Sequence, residues 1–124
     1  MKEPIIINVR GNPKPWGNNQ KGLEIAWREE IKKACPKIEK IKDIRLKVEI
    51  IFYLNDKNIK RPDLDNLAKP VLDTICKISN PQGEAKRKGL YGILTDYDDN
   101  RVFELILTKR EREKEGATIK VWRL

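Results

Sequence analysis

Residues 44–75 read IRLKVEIIFYLNDKNIKRPDLDNLAKPVLDTI, and the change of period inside this stretch decides the fold. Ile44, Leu46, Val48, Ile50, Phe52 and Leu54 alternate with Arg45, Lys47, Glu49, Ile51 and Tyr53, the two-residue period of a strand that turns one face to a core. The polar, basic run 55–61 ends that strand. Leu64, Leu67, Ala68, Val71, Leu72 and Ile75 then recur at the three- and four-residue steps of an amphipathic helix. Pro70 interrupts this second pattern, because proline removes an intrahelical hydrogen bond and disfavours helical geometry at Lys69. The helix is therefore either kinked or regular only from Pro70 onward.

Working toward the N-terminus, residues 4–10 (PIIINVR) are apolar and β-branched, as a strand requires, and Gly11, Pro13, Pro15, Gly17, Asn18 and Asn19 make a loop. Over 22–35, Leu23, Trp27, Ile31 and Ala34 fall at helical spacing with Arg28, Glu29, Lys32 and Lys33 between them, and Pro36 closes the segment. Toward the C-terminus, residues 79–92 (SNPQGEAKRKGLYG) read as an exposed loop. Residues 102–108 and 117–122 read as two strands that pair as a hairpin across the charged connection 109–116. The expected order is β-α-β-α-β-β within one domain spanning 1–124, an α+β fold with a mixed sheet and two helices packed on it.

Composition narrows the chemistry. The chain has 124 residues, 27 Lys+Arg against 19 Asp+Glu for a formal charge of +8, no histidine and two cysteines. Without His there is no Ser-His-Asp triad, no Cys-His pair and no His-ligated zinc. Cys35 and Cys76 stand alone and far apart, so neither a Cys-x-x-Cys motif nor a disulfide framework is available, and both read as reduced, buried thiols. Neither a dinucleotide-binding Gly-x-Gly-x-x-Gly nor a phosphate-binding Gly-x-x-x-x-Gly-Lys-Ser/Thr occurs. A hydrophobic share of 39% supports a modest core, which favours oligomerisation. No run approaches the ~18 apolar residues of a membrane span and residues 1–4 lead straight into a strand, so the sequence reads as a soluble, cytoplasmic protein. The positive balance points to a polyanionic partner, most simply nucleic acid.

Two acidic clusters stand out against that charge. Asp63 falls just ahead of the second helix, while Asp65 and Lys69, four residues apart, share its polar face. The same residues also suit helix capping, the macrodipole and an ordinary Asp65–Lys69–Asp73 charge ladder. The second cluster, Asp96, Asp98 and Asp99, precedes a strand and also fits a turn. It is no calcium loop, since Arg101 stands where Gly is needed and Leu107 where Glu is needed. Taken together, the clusters are carboxylates at two element boundaries that could meet in space. Hard oxygen donors without His or Cys favour Mg²⁺, or Mn²⁺, and amid Lys and Arg such a site suits metal-assisted phosphodiester hydrolysis. Lys57, Lys60 and Arg61, and the triplet Lys86, Arg87 and Lys88, flank it in sequence as DNA-phosphate contacts or as solvated basic loops.

The string Arg61-Pro62-Asp63-Leu64-Asp65-Asn66-Leu67-Ala68-Lys69, a helix, and Asp98-Asp99 entering a strand together resemble the RusA family of Holliday junction resolvases. The resemblance extends to the early loop Asn12-Pro13-Lys14-Pro15-Trp16-Gly17-Asn18-Asn19 and so covers most of the chain. It implies a homodimer that cuts four-way DNA by Mg²⁺-dependent hydrolysis. It also implies metal-binding catalytic carboxylates at Asp63, Asp65 and Asp99, with Asp98 the adjacent acid, and an essential basic role for Lys69. Counting back from the strand at 102–108 puts the Asp98-Asp99 pair at the family position, with Asp96 the alternative third acid.

Overall fold

The alternating stretch forms a central strand, as its pattern demands. The computed structural model describes residues 3–15, 21–42 and 45–124. Ile44 and Trp16, Gly17, Asn18 and Asn19 of the early loop lie outside the described residues. The elements run β1 (Ile5–Arg10), α1 (Lys21–Ala34), β2 (Leu46–Leu54), α2 (Leu64–Ile75), α3 (Gly83–Arg87), a 3₁₀ turn (Asp99–Arg101), β3 (Val102–Glu111) and β4 (Gly116–Arg123). This is a small α+β arrangement on an open, mixed, four-stranded sheet of order β1-β4-β2-β3.

That order corrects the expected hairpin. β3 and β4 do not pair: β2 lies between them, parallel to β3 and antiparallel to β4. The connection 112–115 steps across the end of β2, where the Arg112 N–H donates to the Leu54 carbonyl at 2.9 Å. Burial explains the outcome. Ala117, Ile119 and Val121 of β4 meet Ile7 and Val9 on one side and Val48, Ile50 and Phe52 on the other, so β4 is worth most in the interior of the sheet. Gly116 permits the closest part of that pairing, since a Cβ there would lie 2.4 Å from the Val9 carbonyl oxygen. β3 takes the edge, with Phe103, Leu105 and Ile106 exposed.

The core lies between one face of the sheet and α1 with α2, where Trp27 and Ile31 meet Leu67, Val71 and Ile75. α2 runs unbroken through Pro70, which removes the alternative of a helix starting there. The carbonyl left without a helical donor is that of Asn66, an exposed residue, and the Thr74 hydroxyl donates to the Pro70 carbonyl at 2.7 Å. α1 is rotated relative to expectation: Leu23 is exposed and Arg28, read as polar-face, is only 5% exposed. Its guanidinium is drawn inward by three acceptors, the Thr74 hydroxyl at 3.0 Å, the Asp73 carbonyl at 3.4 Å and the Leu90 carbonyl.

The expected loop 79–92 contains a third helix, α3, beyond the two anticipated. It closes with Gly89 at φ +62°, the Leu90 N–H bonded to the Ala85 carbonyl and the Gly89 N–H to the Lys86 carbonyl, which together satisfy the last carbonyls of the helix. Buried Ala85 and Leu90 anchor it.

Candidate functional site

The turn between β2 and α2 is held from three directions. Within it, Asn55 Oδ1 accepts the Lys57 and Asn58 N–H groups at 3.1 and 2.9 Å. From the β3–β4 connection, Glu115 accepts the Asn55 N–H at 3.0 Å and Asn58 Nδ2 at 2.9 Å. From β3, Lys109 Nζ donates to the Ile59 and Pro62 carbonyls at 2.9 and 2.7 Å. Asp63 therefore leaves a fixed turn in the extended N-cap conformation, φ −76° and ψ 146°. Its carboxylate nevertheless makes no capping hydrogen bond. Asp63 and Asp65 are both exposed, and among the described residues neither carboxylate has a hydrogen bond or an ion pair. Capping thus does not account for Asp63. Lys57, Lys60 and Arg61 are exposed on the same turn, and Lys14 joins Arg61 in lining a cleft of about 390 Å³ beside it.

The other end of α2 holds a second cleft of about 370 Å³, lined by Lys69, Asp73, Lys77, Asp98 and Asp99. Lys69 Nζ pairs with Asp73 at 3.1 Å, so this half of the charge ladder forms while Asp65 stays apart. Asp98 caps the 3₁₀ turn by accepting the Asn100 N–H at 3.4 Å. Asp96 pairs with Lys40 at 2.9 Å and faces a neighbouring hollow, so Asp99, not Asp96, shares the cleft with Lys69. Burial first, then the charges of Asp99, Asp73 and Asp98, pushes the Cys76 thiol at the end of α2 up to about 12.

The two acidic boundaries do not meet. Parallel strands joined by a helix place the start of that helix at the carboxyl ends of the strands and the approach to the next strand at their amino ends. α2 has 12 residues and spans about 18 Å at ~1.5 Å per residue, so Asp63 and Asp65 stand at one end of it and Asp98 and Asp99 at the other. Among the described residues no three His, Cys, Asp or Glu side chains are grouped closely enough to hold a metal ion. Asp63 and Asp65 are a pair of free donors at one end, and at the other the exposed Asp99 carboxylate likewise has no hydrogen bond or ion pair among the described residues. Two hard carboxylates fit Mg²⁺ as it is usually bound, through one or two acids with waters and substrate phosphates completing its octahedron.

Of the basic triplet, Arg87 pairs with Glu84, and Lys88 pairs with Glu29 at 3.1 Å, while Lys86 is exposed. The Lys88–Glu29 pair ties the end of α3 to α1, the Arg87–Glu84 pair lies within α3, and both favour the solvated-surface account for Arg87 and Lys88. Sequence reasoning missed Lys109 as the clamp behind Asp63, and nothing local marks it out among the lysines of the chain. It also missed α3, whose Lys88-Gly89-Leu90 ending was a legible helix stop. No protein-family model and no curated protein matches the sequence. No helix among the described residues is long and apolar enough to cross a membrane.

Proposed function

We propose that the chain is a RusA-like, homodimeric, divalent-metal-dependent endodeoxyribonuclease that resolves four-way DNA junctions. The observation that carries this reading is the pair Asp63 and Asp65, two carboxylates left unpartnered among the described residues of a chain of charge +8, beside exposed Lys57, Lys60 and Arg61. Two neighbouring carboxylates repel each other, and a cation arriving with an anionic substrate relieves that repulsion. Their position, outside the carboxyl ends of the parallel pair β2 and β3, is where ligands commonly bind in sheets of this kind. In this reading Lys57, Lys60 and Arg61 hold phosphates of the backbone, Asp63 and Asp65 hold the metal, and Lys69, one turn along the same face, offers positive charge to the departing oxygen. A bound Mg²⁺ or Mn²⁺ would lower the pKa of an attacking water and neutralise charge on the phosphodiester. The exposed apolar edge of β3, with Phe103, Leu105 and Ile106, supports a second copy as partner.

The test is an end-labelled synthetic four-way junction and a matched linear duplex, each incubated with Mg²⁺ and with EDTA. The expected result is paired, symmetrical nicks on the junction alone and only with Mg²⁺; two nicks within one binding event also report the dimer. Asp63→Asn and Asp65→Asn should abolish cutting while junction binding persists, and undiminished cleavage by both refutes the site. Asp99→Asn reports on the far end of α2. Loss equal to that of Asp65→Asn means that DNA draws the two ends together, and retained cleavage assigns the metal to Asp63 and Asp65.

A further inference from the structure

The helix-free face of the sheet carries a second basic feature that the α2 clefts do not include. Where β4 begins, Arg10, Tyr53, Arg112, Lys114 and Thr118 line a hollow of about 480 Å³. Arg10, Arg112 and Lys114 are exposed, and among the described residues none of the three makes an ion pair. The only acid in the lining, Glu115, is already held by the Asn55 N–H and Asn58 Nδ2. The hollow is therefore positive and not internally neutralised.

Its neutral groups are ordered. The Thr118 hydroxyl donates to Asn8 Oδ1 at 3.0 Å, and with its one proton so used it accepts from the Tyr53 hydroxyl at 3.1 Å. Asn8, accepting through Oδ1, keeps its Nδ2 hydrogens free as donors into the hollow it lines. The Arg112 guanidinium lies over the Tyr53 ring, 4.6 Å from its centroid, which orients the planar fork without a carboxylate.

We propose that this hollow is a phosphodiester-binding site for a nucleic-acid strand, on the sheet face opposite the α2 acids. Three cations and an amide donor around one polar hollow match a phosphate by charge and by donor count. The occupant is a strand because the cations continue past the hollow. Glu115 ties its rim to the turn that bears Lys57, Lys60 and Arg61, so one end of the molecule presents phosphate contacts on both faces of the sheet. Pairing of two copies along the β3 edge would leave this face open. The inference rests on the reading that nucleic acid is the partner, and not on cleavage.

The experiment is fluorescence anisotropy with a labelled four-way junction and a labelled duplex in EDTA over a salt series. It compares the native chain with the triple variant Arg10→Ala, Arg112→Ala, Lys114→Ala. Each lost phosphate contact lowers the slope of log K against log salt by about 0.9, so the expected loss is roughly two to three in slope and about ten- to hundredfold in affinity. The thermal midpoint should not move, because all three side chains are exposed. Unchanged affinity and slope in the triple variant overturn the proposal while leaving the α2 site standing, and failure of the native chain to bind any DNA overturns both. Calorimetry with inorganic phosphate separates the remaining source: phosphate binding lost in the triple variant while DNA binding is unchanged would assign the hollow to a free anion and refute the strand. Cleavage that fails with DNA binding intact touches only the nuclease reading.

Discussion

Arg28 is the buried charge on which the α1–α2 contact turns, and its replacement by Met tests the energetics of the fold directly. Arg28 is 5% exposed, and burial lowers its pKa against the opposing charges of Asp73 and Glu24. It donates to the Thr74 hydroxyl and to the carbonyls of Asp73 and Leu90, so one side chain joins α1 to the end of α2 and to the residue that closes α3. Hydrogen bonds from a charged donor contribute about 1.5–3 kcal/mol each, and the carbonyls stranded by its loss cost about 1–3 kcal/mol each. Against this stands the several kcal/mol spent in burying the guanidinium, which the Met variant recovers. The difference is a net loss of about 2–3 kcal/mol, a large part of the roughly 5–15 kcal/mol that holds a domain folded. With an m-value of about 1.5 kcal/mol per molar, the urea midpoint should fall by roughly 1.3–2 M. Equilibrium unfolding followed by the fluorescence of buried Trp27 reads this shift. Arg28→Lys should not rescue it, since one ammonium cannot bridge Thr74 and Leu90 as the fork does. A Met variant within about 0.5 M of the native midpoint would refute the reasoning and show that the bonds merely offset the cost of burial.

Lys109→Met removes both donations to the Ile59 and Pro62 carbonyls and should lower stability by about 1–3 kcal/mol. It should also raise amide exchange across 55–62 more than elsewhere, and uniform exchange would deny the clamp. For the thiols, burial raises Cys35 to about 11 and Cys76 to about 12 against 9.0 in the unfolded chain. Their contribution to stability is whole below pH 9 and is lost as pH climbs toward 11–12, because the unfolded chain releases these protons first. Urea midpoints at pH 8 and at pH 10.5 should fall further in the native chain than in the Cys35→Ala, Cys76→Ala variant. An equal fall in both assigns the alkaline loss to other groups.

The strands and the two long helices were legible because each carries a long, regular period. Leu46 to Leu54 bury their alternate members as the pattern requires, and Leu67, Val71 and Ile75 bury one face of α2. Pairing was not legible. Short connections favour neighbours, yet β4 buries Ala117, Ile119 and Val121 between β1 and β2, and no local signal marks that choice. Arg28 was hidden for a similar reason. Helical period gives a face but not its rotation to within one residue, and what drew Arg28 inward was a set of acceptors distant in sequence, at Thr74 and Leu90. The acids were legible as candidates, whereas their separation followed from topology.

That separation bears on how the chemistry is arranged. Because β3 is parallel to β2, the chain must return the length of α2 before Asp98 and Asp99 appear, and the two acidic boundaries are fixed at opposite edges of the strand pair. Lys69 falls between them and pairs with Asp73 through a half-exposed ammonium, and the Asp99 carboxylate in the same cleft, like those of Asp63 and Asp65, has no ion pair among the described residues. The two ends differ instead in what surrounds those free acids. At the far end Lys69 pairs with Asp73, Asp96 with Lys40, and Asp98 accepts the Asn100 N–H, which leaves Asp99 as the free acid beside Lys69. At the near end exposed Arg61, Asp63 at the helix cap and Asp65 in the first turn of α2 stand close in sequence without pairing, which suits the metal ion and phosphate of the proposed reading. Rigidity matters as much as charge here: Asn55, Glu115 and Lys109 fix the turn with backbone-directed hydrogen bonds, so Asp63 is held ready without its own carboxylate being used to hold it.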